Sequence, residues 1–394
     1  MQNYDQIYKI ISDVRKVAEA MKSKLISAED VHNVQLISAE VNHVLYHSQR
    51  LRFQGNYDMQ KEEDYYSYIG EIFALSELWE QSLQRRIGNR TDVEFWEIYE
   101  CFKYADIDEI YQAIVQHFMS LSEGLRIEYL SLPHRYTLLK SRLDFTENDF
   151  SLIAEHVELM ANSVEKYRWL YEHLADYRSK HILNGIIRYW FEFDVNRLHS
   201  LCETAFPDYY DLDILQCGED DVIVDLGAFT GDSVEEYIHT YGTYKKIYAY
   251  EITPSAFETM QKRLEKYPNV LLNQKGVGSE PGIMYVNNDG NNAGNKLLST
   301  GDTEVEVVTL DDDISEQISV IKMDIEGAEK DAILGAEYHI RNEKPKLLIS
   351  AYHLPGDLFD IPCLINDIRD DYKFYIRFNG HGCLWPCDYV LFAV

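Results

Sequence analysis

Val222-Ile-Val-Asp-Leu-Gly-Ala-Phe-Thr-Gly-Asp232 is the stretch on which the reading of this chain turns. A short apolar run, a glycine-bearing turn and then an amphipathic segment over 233–241 make a strand that feeds a helix. Gly227 and Gly231 stand in the turn, where a missing Cβ lets the backbone approach a ligand. Their Gly-x-x-x-Gly spacing departs from the Gly-x-Gly-x-x-Gly that cradles a dinucleotide pyrophosphate. Asp232 at the helix start would repel a phosphate there, whereas it can accept from an ammonium group. Open α/β sheets bind ligands outside the carboxyl ends of their strands, so this turn is a candidate site.

The residues that follow repeat the alternation. Strands are predicted at 246–250, 270–273, 320–324 and 346–350, with helices at 254–267, 328–341 and 358–369. Segments 283–286 and 305–310 read as an added hairpin around a polar loop (287–301). Segments 374–378 and 388–394 read as two closing strands joined by a short loop. The pattern predicts a doubly wound α/β sheet ending in an antiparallel hairpin. Glu251 ends the second strand, where a carboxylate can accept both hydroxyls of a ribose.

Upstream the character is helical. Tyr4, Ile7, Ile11, Val14, Ala18, Met21 and Leu25 alternate spacings of three and four, and Val34, Ile37, Val41, Val44 and Leu51 continue that stripe on a second helix. Further helices are predicted near 62–87, 91–103, 106–122, 152–174 and 179–193. The expected organisation is a helical bundle over 1–125, a helical connecting region over 126–205 and the sheet domain over 206–394. The bundle is expected to satisfy its own apolar seam, with a dimer coiled coil the less favoured use, and to bind a partner, dimerise or cover the site. No catalytic constellation is seen before residue 206.

Composition sets the outer limits. The 394 residues are 46% hydrophobic and 26% charged, which fits a globular chain rather than a disordered one. A formal net charge of −30 opposes a nucleic-acid backbone or an anionic membrane surface. No apolar run is long enough to span a bilayer, and the opening residues, with Asp5 and Asp13, do not read as a signal peptide. The six scattered cysteines suit the reduced thiols of a cytoplasm.

Four blocks carry a resemblance: Val224-Asp-Leu-Gly-Ala-Phe-Thr-Gly-Asp232, Tyr248-Ala-Tyr-Glu251 with Pro254, Val308-Thr-Leu-Asp311, and Ile321-Lys-Met-Asp-Ile-Glu-Gly-Ala-Glu329. Over about residues 205–394 they resemble the FkbM family of S-adenosylmethionine-dependent methyltransferases. The resemblance implies a class I (Rossmann-like) methyltransferase fold, S-adenosylmethionine as donor, and O-methylation of a hydroxyl on a sugar, glycan or secondary metabolite. A bacterial cell-surface glycan or its precursor is the acceptor this analogy points to. It also implies donor contacts at Asp225, Gly227, Gly231 and Glu251. Ile252 stands where the family more often has proline, a change expected to shift the loop and leave Glu251 in place.

The residues agree with such a donor. Ala228, Phe229 and Asp232 in the same turn, and Asp324, are further candidate donor contacts, and an acidic pocket with aromatics (Phe229, Tyr250) suits a sulfonium. Asp324 and Glu326 end the fourth strand on the same edge and are expected to face the transfer region. They are read as positioning the acceptor hydroxyl, as holding a divalent cation, or, for Glu326, as capping the next helix. His353, after the fifth strand, is the candidate base, since an imidazole with a pKa near ~6.5 is largely neutral at pH 7. Lys322 has no assigned role. The run His381-Gly-Cys383-Leu-Trp-Pro-Cys387 lacks a paired zinc spacing and reads as a loop, with Trp385 a candidate for stacking on a sugar ring. Two other readings remain open: a nicotinamide-dependent oxidoreductase, and a non-catalytic scaffold that keeps the fold.

Overall fold

The computed structural model describes residues 89–136, 139–287 and 297–394, so the helices expected over 1–87 and most of the polar loop over 287–301 lie outside the described residues. The chain divides into two compact units, 1–110 and 111–394. In the first, helix α1 (Arg90–Tyr104) starts where the Asn89 side chain accepts from the Thr91 and Asp92 amides, and Phe95, Ile98, Tyr99 and Phe102 form its buried stripe. Helix α2 (Ile107–Ser120) follows.

The second unit opens with most of α2, followed by α3 (Glu123–Tyr129), α4 (Leu132–Arg135), α5 (Ser151–His173), α6 (Tyr177–Glu192) and α7 (Val195–Ser200). The sheet region then runs β1 (Val222–Leu226), α8 (Asp232–Tyr241), β2 (Lys246–Tyr250), α9 (Pro254–Leu264), β3 (Val270–Asn273), β4 (Gly276–Val277), β5 (Gly282–Val286), β6 (Thr303–Val308) and α10 (Leu310–Asp313). It ends with β7 (Val320–Met323), α11 (Glu329–Leu334), α12 (Glu337–Glu343), β8 (Lys346–Ser350), α13 (Asp357–Ile368), β9 (Phe374–Phe378) and β10 (Tyr389–Ala393).

Seven strands form one sheet in the order β3-β2-β1-β7-β8-β10-β9, and β4, β6 and β5 form a small second sheet. From β3 to β8 the neighbours are parallel, and β10 runs antiparallel to both β8 and β9. The closing hairpin therefore inserts its last strand between β8 and β9. A dinucleotide-binding sheet has no such insertion in its usual order. Strands β1 and β7 are buried along their whole length, as central strands covered on both faces must be. Ile223, Ile247, Ala249, Val320, Leu348 and Phe392 meet Val234, Tyr237, Met260 and Leu264 in the core. The strand order reverses direction between β1 and β7, so a crevice opens there at the carboxyl edge.

The single helix expected over 328–341 is two. Gly335 separates them because its Cα lies against the Gly278 carbonyl; a Cβ there would come within 2.0 Å of that oxygen. Helices α5 and α6 are tied to the sheet through Arg377 of β9. Its guanidinium is buried and bonds Asp211 (2.7 Å), Asp176 (2.9 Å) and Ser179 (3.0 Å), while Asp176 also caps α6. Among the described residues, no helix is long and apolar enough to cross a membrane.

Candidate functional site

A cavity of about 660 Å³ opens at the carboxyl edge of the strands. Its lining includes Gly227, Phe229 and Asp232 from the first turn, Tyr250 and Glu251 from the end of β2, and Asp324, Glu326 and His353 from beyond β7 and β8. That volume lies in the range of small-ligand and cofactor sites.

The wall near β1 is built from backbone. Gly227 has φ +76°, and the amides of Gly227 and Ala228 both donate to the Tyr250 carbonyl, at 3.0 and 2.9 Å. A Cβ on Gly227 would come within 1.8 Å of the Asp324 carbonyl oxygen, so only glycine lets the two loops close on each other. Phe229 also has a positive φ (46°), and this turn aims its amide at Glu251. Glu251 accepts from the Phe229 amide on Oε2 (3.0 Å) and from the Thr253 amide on Oε1 (2.6 Å). The Thr253 side chain bonds it as well, and the carboxylate lines the cavity. Burial pushes its pKa up against these amide bonds.

Asp225, Ala228 and Gly231, expected as direct donor contacts, are buried and do not line the cavity. Gly231 caps α8 and packs on Leu264 and Met260. Asp225 pairs with Lys322 at 3.0 Å and accepts from Ser233 Oγ. The Lys322 ammonium also donates to the Gly227 carbonyl at 2.9 Å and stands 5.1 Å over the Tyr209 ring. Burial alone would lower its pKa, but the charges of Asp225 and Asp324 win and raise it. Lys322 is therefore a charged strut under the first turn.

Beyond β7, Asp324 Oδ2 accepts from Tyr209 (2.9 Å), and Oδ1 faces His353 Nε2 at 3.3 Å. Glu326 Oε1 lies 3.7 Å from the same nitrogen. On the other side of the ring, Nδ1 is 2.8 Å from Glu329 Oε1, and Glu329 also accepts from the amides of Ile325 (2.9 Å) and Gly327 (3.0 Å). The turn before α11 is thus held by Glu329, not capped by Glu326. The neutral base expected at His353 is not what this geometry supports. Burial would lower its pKa, but Asp324 and Glu329 outweigh it and push the imidazole well above its ordinary value. In return, against the cost of burial, His353, Lys322 and Tyr209 hold Asp324 well below the usual carboxylate range.

Trp385 lines the cavity but is only 6% exposed, its ring edge-on to His156 (5.1 Å) and Tyr189 (5.8 Å). That packing leaves little face for a sugar. Cys383 and Cys387, unremarkable by spacing, bring their sulfurs to 3.1 Å beside Asp388. Sequence reasoning missed Tyr209, Glu329 and the strut role of Lys322.

The comparisons bear on this arrangement. No curated protein matches the chain. Among solved structures, the methyltransferase FkbM from Methylobacillus flagellatus KT is 24% identical with a TM-score of 0.51, the match covering 61% of this chain and 62% of that one. The chain thus spans less than two thirds of that protein, and the likeness is one of fold. An rRNA methylase from Streptococcus thermophilus (15% identity, TM-score 0.31) matches over 45% of this chain and 87% of its own. A precorrin-6y C5,15-methyltransferase from Geobacter metallireducens GS-15 (16%, 0.31) matches over 46% and 83%. The family model described as the methyltransferase FkbM domain matches residues 225–374. Over those residues the chain matches the FkbM methyltransferase domain, the family its own motifs resemble.

Proposed function

We propose that this chain is an S-adenosylmethionine-dependent O-methyltransferase acting on a hydroxyl of a sugar, glycan or secondary metabolite in the cytoplasm. The observation that carries the reading is Glu251: a strand-end carboxylate on the cavity wall, fixed by two backbone amides and the Thr253 side chain, beside the Gly227 turn. Such a carboxylate is built to accept from a diol, as a ribose presents. Gly227, Phe229 and Tyr250 would flank the nucleoside part, and Asp232 would take up an ammonium group. A nicotinamide dinucleotide is a poorer fit, because Asp232 stands where its pyrophosphate would meet the helix start.

When bound, the donor supplies an electrophilic methyl group on a sulfonium centre. The chain's own part is to hold the acceptor in line and keep water out. In the cavity lining Asp232, Glu251, Asp324, Glu326 and Asp388 outnumber Arg135, Lys275 and Lys322, an excess of negative charge that favours a cationic ligand. Asp324 and Glu326, steadied by Tyr209 and His353, are the groups to which an acceptor hydroxyl can donate. With Nδ1 on Glu329 and Nε2 facing both acids, the part of His353 here is to hold the two carboxylates in place.

Ligand-dependent melting separates the readings. S-adenosylhomocysteine at 100 times its Kd is expected to add about 2.7 kcal/mol of stability, with NAD adding none. A shift with NAD alone would favour the oxidoreductase reading, and no shift with either would favour a scaffold.

A further inference from the structure

We propose that Asp324, Glu326 and His353 form a site for a divalent cation of the Mn²⁺ type, at the acceptor end of the cavity. Their ligand atoms, one carboxylate oxygen from each acid and the imidazole nitrogen, lie within 4.8 Å of one another. The acids alone would carry no such conclusion. The decisive atom is Nε2 of His353: the residue is 5% exposed, and Nε2, where the ion would take the place of a proton, has no well-formed hydrogen bond although it is aimed at both carboxylates. Asp324 Oδ1, facing it, is a second buried polar atom left without one. A buried nitrogen and a buried oxygen so placed lack a common partner.

The two separations from Nε2 come close to those around one ion. Metal–ligand bonds of ~2.1–2.2 Å at octahedral to tetrahedral angles put neighbouring ligand atoms roughly 3.0–3.6 Å apart. Here Nε2 stands 3.3 Å from Asp324 Oδ1 and 3.7 Å from Glu326 Oε1. The outer contacts have the matching form, since Nδ1 is held by the buried Glu329 at 2.8 Å, the carboxylate–histidine pairing that orients an imidazole ligand. Two carboxylates and one imidazole suit a first-row cation of intermediate hardness. Three protein ligands leave positions open on the cavity side for water or an acceptor hydroxyl.

What the ion does rests on the methyltransferase reading; that it binds does not. A hydroxyl on the cation is more acidic, so its proton passes to water, the oxygen lone pair forms the new C–O bond, and the electrons of the broken C–S bond stay on the donor sulfur.

The test is Mn²⁺ titration of the full chain followed by electron paramagnetic resonance. The wild type is expected to bind a single ion, with pulsed measurements showing coupling to an imidazole nitrogen. Glu326→Gln, which keeps the shape of the side chain, is expected to weaken Mn²⁺ binding by at least about tenfold, with cooperative melting retained and S-adenosylhomocysteine affinity within about twofold of wild type. Asp388→Asn, at the cysteine cluster, is expected to leave Mn²⁺ binding unchanged. The proposal is overturned if the wild type binds S-adenosylhomocysteine but no Mn²⁺, if Glu326→Gln binds it as the wild type does, or if Asp388→Asn alone removes it. If neither ligand binds, the methyltransferase reading falls as well.

Discussion

Replacing Lys322 with methionine is expected to lower the stability of the chain by about 3–5 kcal/mol, the cost of breaking a buried ion pair by removing one member. Lys322 and Asp225 have side chains 3% and 2% exposed and stand opposite each other on the paired central strands β7 and β1. Methionine matches the aliphatic stem but leaves Asp225 as a buried carboxylate with Ser233 its remaining side-chain partner, and leaves the Gly227 carbonyl without its donor. Urea denaturation checks the value. Adding Asp225→Asn is expected to recover part of the loss, because it removes the stranded charge. A single variant within about 1 kcal/mol of wild type would show that the pair does not hold the turn.

Gly227→Ala is expected to cost roughly 3 kcal/mol or more and to abolish donor binding. Two effects add. A non-glycine residue at φ +76° carries backbone strain of about 1–3 kcal/mol, and the new Cβ meets the Asp324 carbonyl at 1.8 Å. The loops must move apart, which separates Glu251 from the acidic cluster. Gly242→Ala is the control: φ is +71°, but nothing lies within 4 Å of its Cβ, so only the strain remains, about 1 kcal/mol. Equal losses from the two variants, in melting or in binding, would show that the close approach to Asp324 carries nothing.

Much of the fold was legible because most strands are short apolar runs and most helices open beside a turn residue. Glu251 was legible for the same local reason, as an acid at a strand's carboxyl end. What could not be read is non-local. Asp225 looks like a ligand contact until β7 is known to place Lys322 beside it; two charges in two fully buried strands were the signal that they must meet. The need for glycine at 227 was visible, but what it avoids, the Asp324 carbonyl, is almost a hundred residues away. His353 read as a neutral base because its ordinary pKa was assumed; Glu329, whose carboxylate reaches back from the next helix, changes that. Tyr209 precedes the first strand and carries no motif, so nothing local marked it as the partner of Asp324.

The central claim is that the cavity over Gly227 and Glu251 takes an adenosyl donor, and isothermal titration with S-adenosylhomocysteine tests it most directly. Saturable binding to the wild type is expected, weakened by about 100-fold in Glu251→Ala, since two hydrogen bonds to a charged acceptor are lost at about 1.5 kcal/mol or more each. No heat from a wild-type chain that melts cooperatively, or equal binding by the variant, would contradict the account.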